Sequence, residues 1–335
     1  MKKLIAAFML SLPLWTGCRN SGPDISKVQV EVTAYDFYKD FSRLDTAHLE
    51  AGLETLRAKY PQYLPFYLDK LAAGTVSLAD YSTNAEGIKT FLTHKDYKHL
   101  LDTVNQAFPS TDDITESLTT TFRYIKYYDT GIALPDKIYY AVSGLSNMVG
   151  LGSNNTLTIC LDYFLGENFN PYYQINIPEY VIPRFKKAYA PVMAAQVLYQ
   201  DAYPFEPHDK DLLTMMIEQG KMQYFLGLVT PQVQEHMRFG FTQQQLEWCR
   251  AHERDIYNFF TSNDFLFSKN MQQVMRFVSD GPFTMGMPQE SPGNIGSFTG
   301  YRIVQQYVKE TGADWYALVS ETDAQKILKL SKYRP

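Results

Sequence analysis

The chain has 335 residues, 45% hydrophobic and 20% charged, a balance that excludes long disorder, which needs low hydrophobicity and high net charge. Its 19 Gly, 17 Pro and 3 Cys exclude collagen-like and cysteine-rich scaffolds. A formal charge of -5 argues against nucleic acid, which is bound by clustered basic surface.

The N-terminus is the most telling segment. Lys2-Lys3 forms a charged head, and residues 4–14 are apolar except for Ser11 and Pro13. The stretch is too short for a membrane-spanning helix, which needs about 20 residues, but suits a secretory core segment. It runs into Trp15-Thr16-Gly17-Cys18, a small residue before a cysteine that resembles the bacterial lipobox. Trp15 stands where leucine is usual. In that reading Cys18 carries diacylglycerol on a thioether and becomes the first residue after cleavage. The expected organisation is a signal peptide over 1–17, a polar tether over 18–27 and one α-rich domain over 28–335. The chain is then anchored rather than spanning. Arg19-Asn20-Ser21-Gly22-Pro23-Asp24 lacks the acidic cluster that resembles a surface-export signal, which predicts an outer-membrane lipoprotein facing the periplasm. Cys160 and Cys249 remain in a compartment that permits disulfides; a bridge and two buried free thiols are both open.

Alternation over 28–33 predicts a strand. Asp45 precedes Leu49, Leu53 and Leu56, with Glu50 and Glu54 early in the run, and predicts a helix start with Asp45 as cap. Further helices are predicted over 61–73, 86–107 and 112–128, the last opened by Ser110-Thr111-Asp112-Asp113. Short β-branched and aromatic runs at 137–142, 147–151 and 156–161 are separated by turn residues. They predict a small antiparallel sheet of about three strands. Helical spacing returns over 178–201, where Pro183 and Pro191 are expected to kink or split it. It continues over 209–227, 242–262, 269–279, 294–310 and 321–330. The expected fold class is α+β, predominantly helical, with helices surrounding the small sheet.

Chemistry-bearing motifs are sparse. The six histidines are His48, His94, His99, His208, His236 and His252; no two stand at the i, i+4 spacing of a helical zinc site. Gly144-Leu145-Ser146-Asn147-Met148 lacks the closing glycine of a nucleophile elbow. Gly293, Gly296 and Gly300 match neither a dinucleotide nor a phosphate loop; Gly296 and Gly300 instead give a helix one bare face that lets another backbone approach. Asp112-Asp113 suits a helix dipole without any catalytic role. Asp45-Thr46-Ala47 and Asp102-Thr103-Val104 resemble a three-residue O-glycosylation signal of bacterial envelope proteins, a pattern that also recurs by chance. The 25 Tyr and 21 Phe either build the core or line a glycan-binding groove.

Several segments together resemble a known family. They are DFYKDFSRLDTAHLEAGLETLRAKYPQYLP at 36–65, MIEQGKMQYF at 216–225, FTQQQLEWCRAHERDIYNFF at 241–260, SPGNIGSFTGYRIVQQY at 291–307 and DAQKILKLSKYRP at 323–335. These are similar to the GldB-type gliding-motility lipoproteins of Bacteroidota. The resemblance implies an envelope lipoprotein with protein partners in the gliding and type IX secretion machinery. That family in turn resembles zincin-type peptidases, which implies a degenerate zincin-like fold. An active member would carry HExxH on the helix over 178–201 and Glu beside Gly on the next; here no histidine lies on the first helix up to its end at Asp201, and Gln219 stands before Gly220. A neutral amide is a poor zinc ligand, so no metal or cofactor is expected. The emptied cleft, with Arg184, Glu218, Gln219 and Tyr224 as its candidate residues, is free to take a peptide segment or a partner loop. Arg184, Lys186 and Lys187 are expected to add positive charge there. A non-enzymatic role follows; a zincin-like envelope hydrolase and a glycan- or peptide-binding lipoprotein are the alternatives.

Overall fold

The computed structural model describes residues 22–71, 85–152 and 155–335. Cys18, the expected signal peptide and the first part of the tether lie outside the described residues. One sheet holds β1 (Thr33–Tyr35), β2 (Lys137–Ala141), β3 (Val149–Gly152) and β4 (Thr156–Cys160), in the order β1-β2-β4-β3. β1 runs parallel to β2 with Tyr35 opposite Tyr139, and β2 runs parallel to β4 with Ala141 opposite Cys160. β3 alone is antiparallel, with Gly152 opposite Thr156 on β4.

The sheet is therefore mixed, and the expected antiparallel arrangement holds only for β3 and β4. Three short runs separated by turns favour hairpins locally, but β2 is followed by a loop that folds onto Asp162 and carries the chain beyond β4. β4 then inserts between β2 and β3. Every residue of β4 and most of β2 is buried, as central parallel strands covered on both faces require. The first strand forms at Thr33–Tyr35 rather than over 28–33, because the Thr33 N–H donates to Asp136 O at 2.9 Å and sets the register on β2.

The five longest helices among the described residues are α1 (Lys95–Ala107), α2 (Asp112–Tyr128), α3 (Ala190–Ala202), α4 (Leu212–Val229) and α5 (Ile295–Thr311). α2 has its predicted bounds, with two aspartates in its first turn. The predicted helix over 178–201 is split by proline. Short 3-10 turns occupy Glu179–Arg184, which contains Pro183, and Lys187–Tyr189; α3 then carries Pro191 in its first turn, where a missing N–H costs nothing. The pattern over 86–107 breaks at His94, which is extended. Asp45 does not cap the helix Leu49–Lys59: His48 holds that position, and Asp45 Oδ1 instead accepts from Ala47 N at 2.8 Å in a turn of its own. The helix Trp315–Ser320, absent from the sequence reading, is capped by Asp314, whose carboxylate accepts from Ala317 N at 2.8 Å.

α4 is buried almost all round, as a central helix must be, and α5 crosses it with backbone against backbone. A Cβ on Gly300 would lie 1.7 Å from Met216 O, and one on Gly220 would lie 2.3 Å from the Gly300 carbonyl carbon. The bare face expected at Gly296 and Gly300 is thus used: α4 fills it at Gly300, and the Phe277 carbonyl oxygen, 2.7 Å from a Cβ on Gly296, fills it there. Asp129, at the end of α2, is buried and accepts from Trp315 Nε1 at 2.7 Å and from the Tyr203 hydroxyl, fastening α2, α3 and the C-terminal helices together. Cys160 and Cys249 are both buried free thiols.

Candidate functional site

α3, α4, the proline-split segment and the loop before α5 enclose a recess of about 240 Å³. Its polar wall is Arg184, Gln196, Gln219, Gln223, Arg238, Asp280 and Asn294; methionines, valines, Tyr189, Phe239 and Gly240 make the rest. Gln219 and Gln223 are four apart on α4 and so share a face. Asn294 sits at φ 58° just before α5, a left-handed conformation that asparagine tolerates, with its Oδ1 accepting from Ser297 Oγ at 2.5 Å.

The two arginines differ. Arg184 is fully engaged: Nη1 and Nη2 donate to Asp280 at 2.5 and 3.0 Å, and Nε donates to Gly240 O at 3.1 Å. Among the described residues Arg238, with its side chain 12% exposed, has only the Glu235 carboxylate, Oε2 at 3.8 Å, and that oxygen already accepts from Arg250 Nη2 at 2.8 Å. Gln223 is 4% exposed, and its Oε1 has no hydrogen-bond partner among the described residues.

A family model described as gliding motility protein GldB matches residues 18–335. The chain belongs to the GldB family. Among curated proteins and among solved structures nothing matches it.

Of the residues singled out in this GldB-family sequence, Arg184 and Gln219 line the recess. Glu218 is turned about 100° from Gln219 by helix geometry and binds Lys221 Nζ at 2.7 Å; that ammonium, 1% exposed, also donates to Glu321 O at 2.7 Å. Tyr224 is half-buried away from the recess, its hydroxyl pKa raised by burial. Lys186 pairs with Glu167 at 3.0 Å and Lys187 with Asp113, so neither lysine adds the charge expected at the cleft. Arg238 and Gln223 escaped the sequence reading. Gln223 was detectable as the i+4 neighbour of Gln219; Arg238 carries no local signal and is brought in by the short helix Glu235–Phe239 that follows α4.

The Gly144-Leu145-Ser146 turn is structural. Gly144 and Leu145 have φ 68° and 62°, and the buried Asp162 carboxylate accepts from Leu145 N at 2.7 Å and from Ser143 N at 3.1 Å. Ser146 Oγ donates to Ser143 O at 2.9 Å. Burial pushes the Asp162 carboxyl up to about 6, against the lowering effect of those N–H donors. Among the described residues no three His, Cys, Asp or Glu side chains gather as metal ligands, and no helix is long and apolar enough to cross a membrane.

Arg184→Ala removes the clamp between the proline-split segment, Asp280 and Gly240. The expected loss is about 1–2 kcal/mol of unfolding free energy, discounted for partial exposure. An unchanged denaturation midpoint would show that the clamp contributes nothing.

Proposed function

We propose that this GldB-family chain is an outer-membrane lipoprotein, held through acylated Cys18 and facing the periplasm. In this reading it supports assembly or stability of the gliding and type IX secretion machinery without catalysis, as one domain over 28–335 on a short tether. The observation that carries the proposal is the family match, which starts at residue 18, the expected lipidated cysteine. The recess beside Arg184 and Gln219 serves as the docking site for a partner segment. Its wall of carboxamides, guanidinium groups and one paired carboxylate suits hydrogen-bonded recognition, and Ser146 and Asp162 are spent on holding a turn. The zincin likeness is an interpretation of element order alone: sheet, then α3, then α4.

The glycan-binding alternative is weakened by where the aromatic side chains lie. Tyr63 stacks on Tyr139 at 3.7 Å within a buried cluster. The exposed rings of Tyr127, Tyr173, Phe205, Phe267, Phe283 and Tyr316 line no part of the recess; Tyr189 and Phe239 do line it, but both are buried and offer no open stacking face.

Fractionation of a Cys18→Ala variant tests the anchor. The variant is expected in the soluble fraction; if it stays with the membrane, the lipid assignment fails. Protease shaving of intact cells is expected to leave the chain uncut, and rapid digestion would place it outside. Affinity capture from envelope membranes, with wild type and Arg184→Ala compared, tests the docking role.

A further inference from the structure

We propose that the recess binds a carboxylate with an amide N–H beside it, Arg238 taking the carboxylate and Gln223 the amide. The proposal rests on the recess being the docking site argued above, and it names the chemistry of the docked group. Two independent observations converge on it. A guanidinium 12% exposed, with a single carboxylate at 3.8 Å, is under-compensated, because a buried charge needs close hydrogen-bonded partners. A carboxamide 4% exposed with an unpartnered Oε1 costs about 1–3 kcal/mol until something donates to it. Rotation about the last torsion of Gln223 exchanges its oxygen and nitrogen, so the carboxamide can present Oε1 to an occupant of the recess that donates to it.

Charge and size agree. The recess is lined by Arg184 and Arg238 against one carboxylate, Asp280, which Arg184 already holds in two hydrogen bonds. The surplus is positive and sits at Arg238. At about 240 Å³ the space is below the roughly 300–1,000 Å³ of small-molecule sites. It suits a chain end or one side chain rather than a cofactor. The carboxylate can come from a peptide C-terminus or from an aspartate side chain.

Titration calorimetry on the purified lipidated protein in detergent, at pH 7, separates these cases with three probes. They are N-acetyl-glycyl-glycine, its neutral C-terminal amide, and N-acetyl-aspartate N-methylamide. At least one of the two acids is expected to bind about tenfold or more tightly than the neutral amide, the ratio of one charge-assisted pair. The tighter acid identifies the source. Arg238→Gln is expected to abolish the preference, Arg238→Lys to keep part of it, and Gln223→Leu to weaken the acid several-fold. Equal binding of acids and amide, or no binding of any probe, overturns the proposal, and this comparison uses wild-type protein alone. A preference that survives in a folded Arg238→Gln variant overturns it too. If the acids fail while Arg184→Ala still loses its envelope partner, the carboxylate chemistry is wrong and the docking role stands.

Discussion

Replacing Gly300 with alanine is expected to destabilise this protein by on the order of 3 kcal/mol or more, the upper range for overpacking a dense core. The added Cβ would meet Met216 O at 1.7 Å, with the Met216 carbonyl carbon at 2.4 Å. Those atoms belong to the backbone of α4, so no side-chain rotation relieves the clash, and the helices must separate. Separation in turn loosens Gly220, whose own Cβ position is filled by Gly300. Gly150, with nothing within 4 Å of a Cβ, is the control: Gly150→Ala is expected to change stability by less than about 0.5 kcal/mol. Denaturant unfolding of both variants reads the difference. Equal midpoints would mean that α4 and α5 do not approach as closely as the geometry shows.

Removing the Asp162 carboxylate is expected to cost on the order of 4 kcal/mol, and the cost carries a pH signature. Asp162→Ala leaves the buried N–H of Ser143 and the part-buried N–H of Leu145 without this acceptor, each worth about 1–3 kcal/mol when orphaned in the interior. The wild-type carboxyl stands at about 6 in the fold against an ordinary 3.8, so the folded state holds its proton more tightly than the unfolded state. A raised pKa contributes stability below the unfolded value, and that contribution is lost as pH rises through the folded value. Relative to Asp162→Asn, which does not titrate, wild type is therefore expected to lose about 2 kcal/mol between pH 4 and pH 7. Urea unfolding of both proteins at a series of pH values measures it. A flat difference, or one that grows with pH, would show that burial does not dominate at this carboxyl. Other carboxylates in the chain, such as Asp113 beside Lys187, shift the opposite way, which is why the comparison is with the variant and not with wild type alone.

The extent to which the candidate site was legible follows from helix periodicity. Gln219 was found through its place before Gly220, and Arg184 through its place in the proline-rich run. Glu218 was grouped with them because it is adjacent in sequence, yet one residue along a helix turns a side chain by about 100°. That turn points Glu218 to Lys221 and away from the recess. Tyr224 fails for the same reason, being five residues beyond Gln219 where Gln223 is four. Arg238 lies on a separate short helix, Glu235–Phe239, and no spacing rule links it to α4.

By itself the sequence determined whatever depends on near neighbours. The proline breaks at 183 and 191 are visible locally, because a missing N–H and a fixed φ act within one turn. The start of α2 is visible in its two aspartates, and the bare face of α5 in glycines four apart. Tertiary structure alone decided what depends on distant partners. The parallel pairing of β2 with β4, the choice of α4 as the helix against Gly300, and the placing of Arg238 and Gln223 on one recess join segments that no local spacing rule links. A backbone edge, a carbonyl or an unpaired guanidinium attracts whichever complementary group the fold brings within a few ångströms. No local pattern records which group that will be.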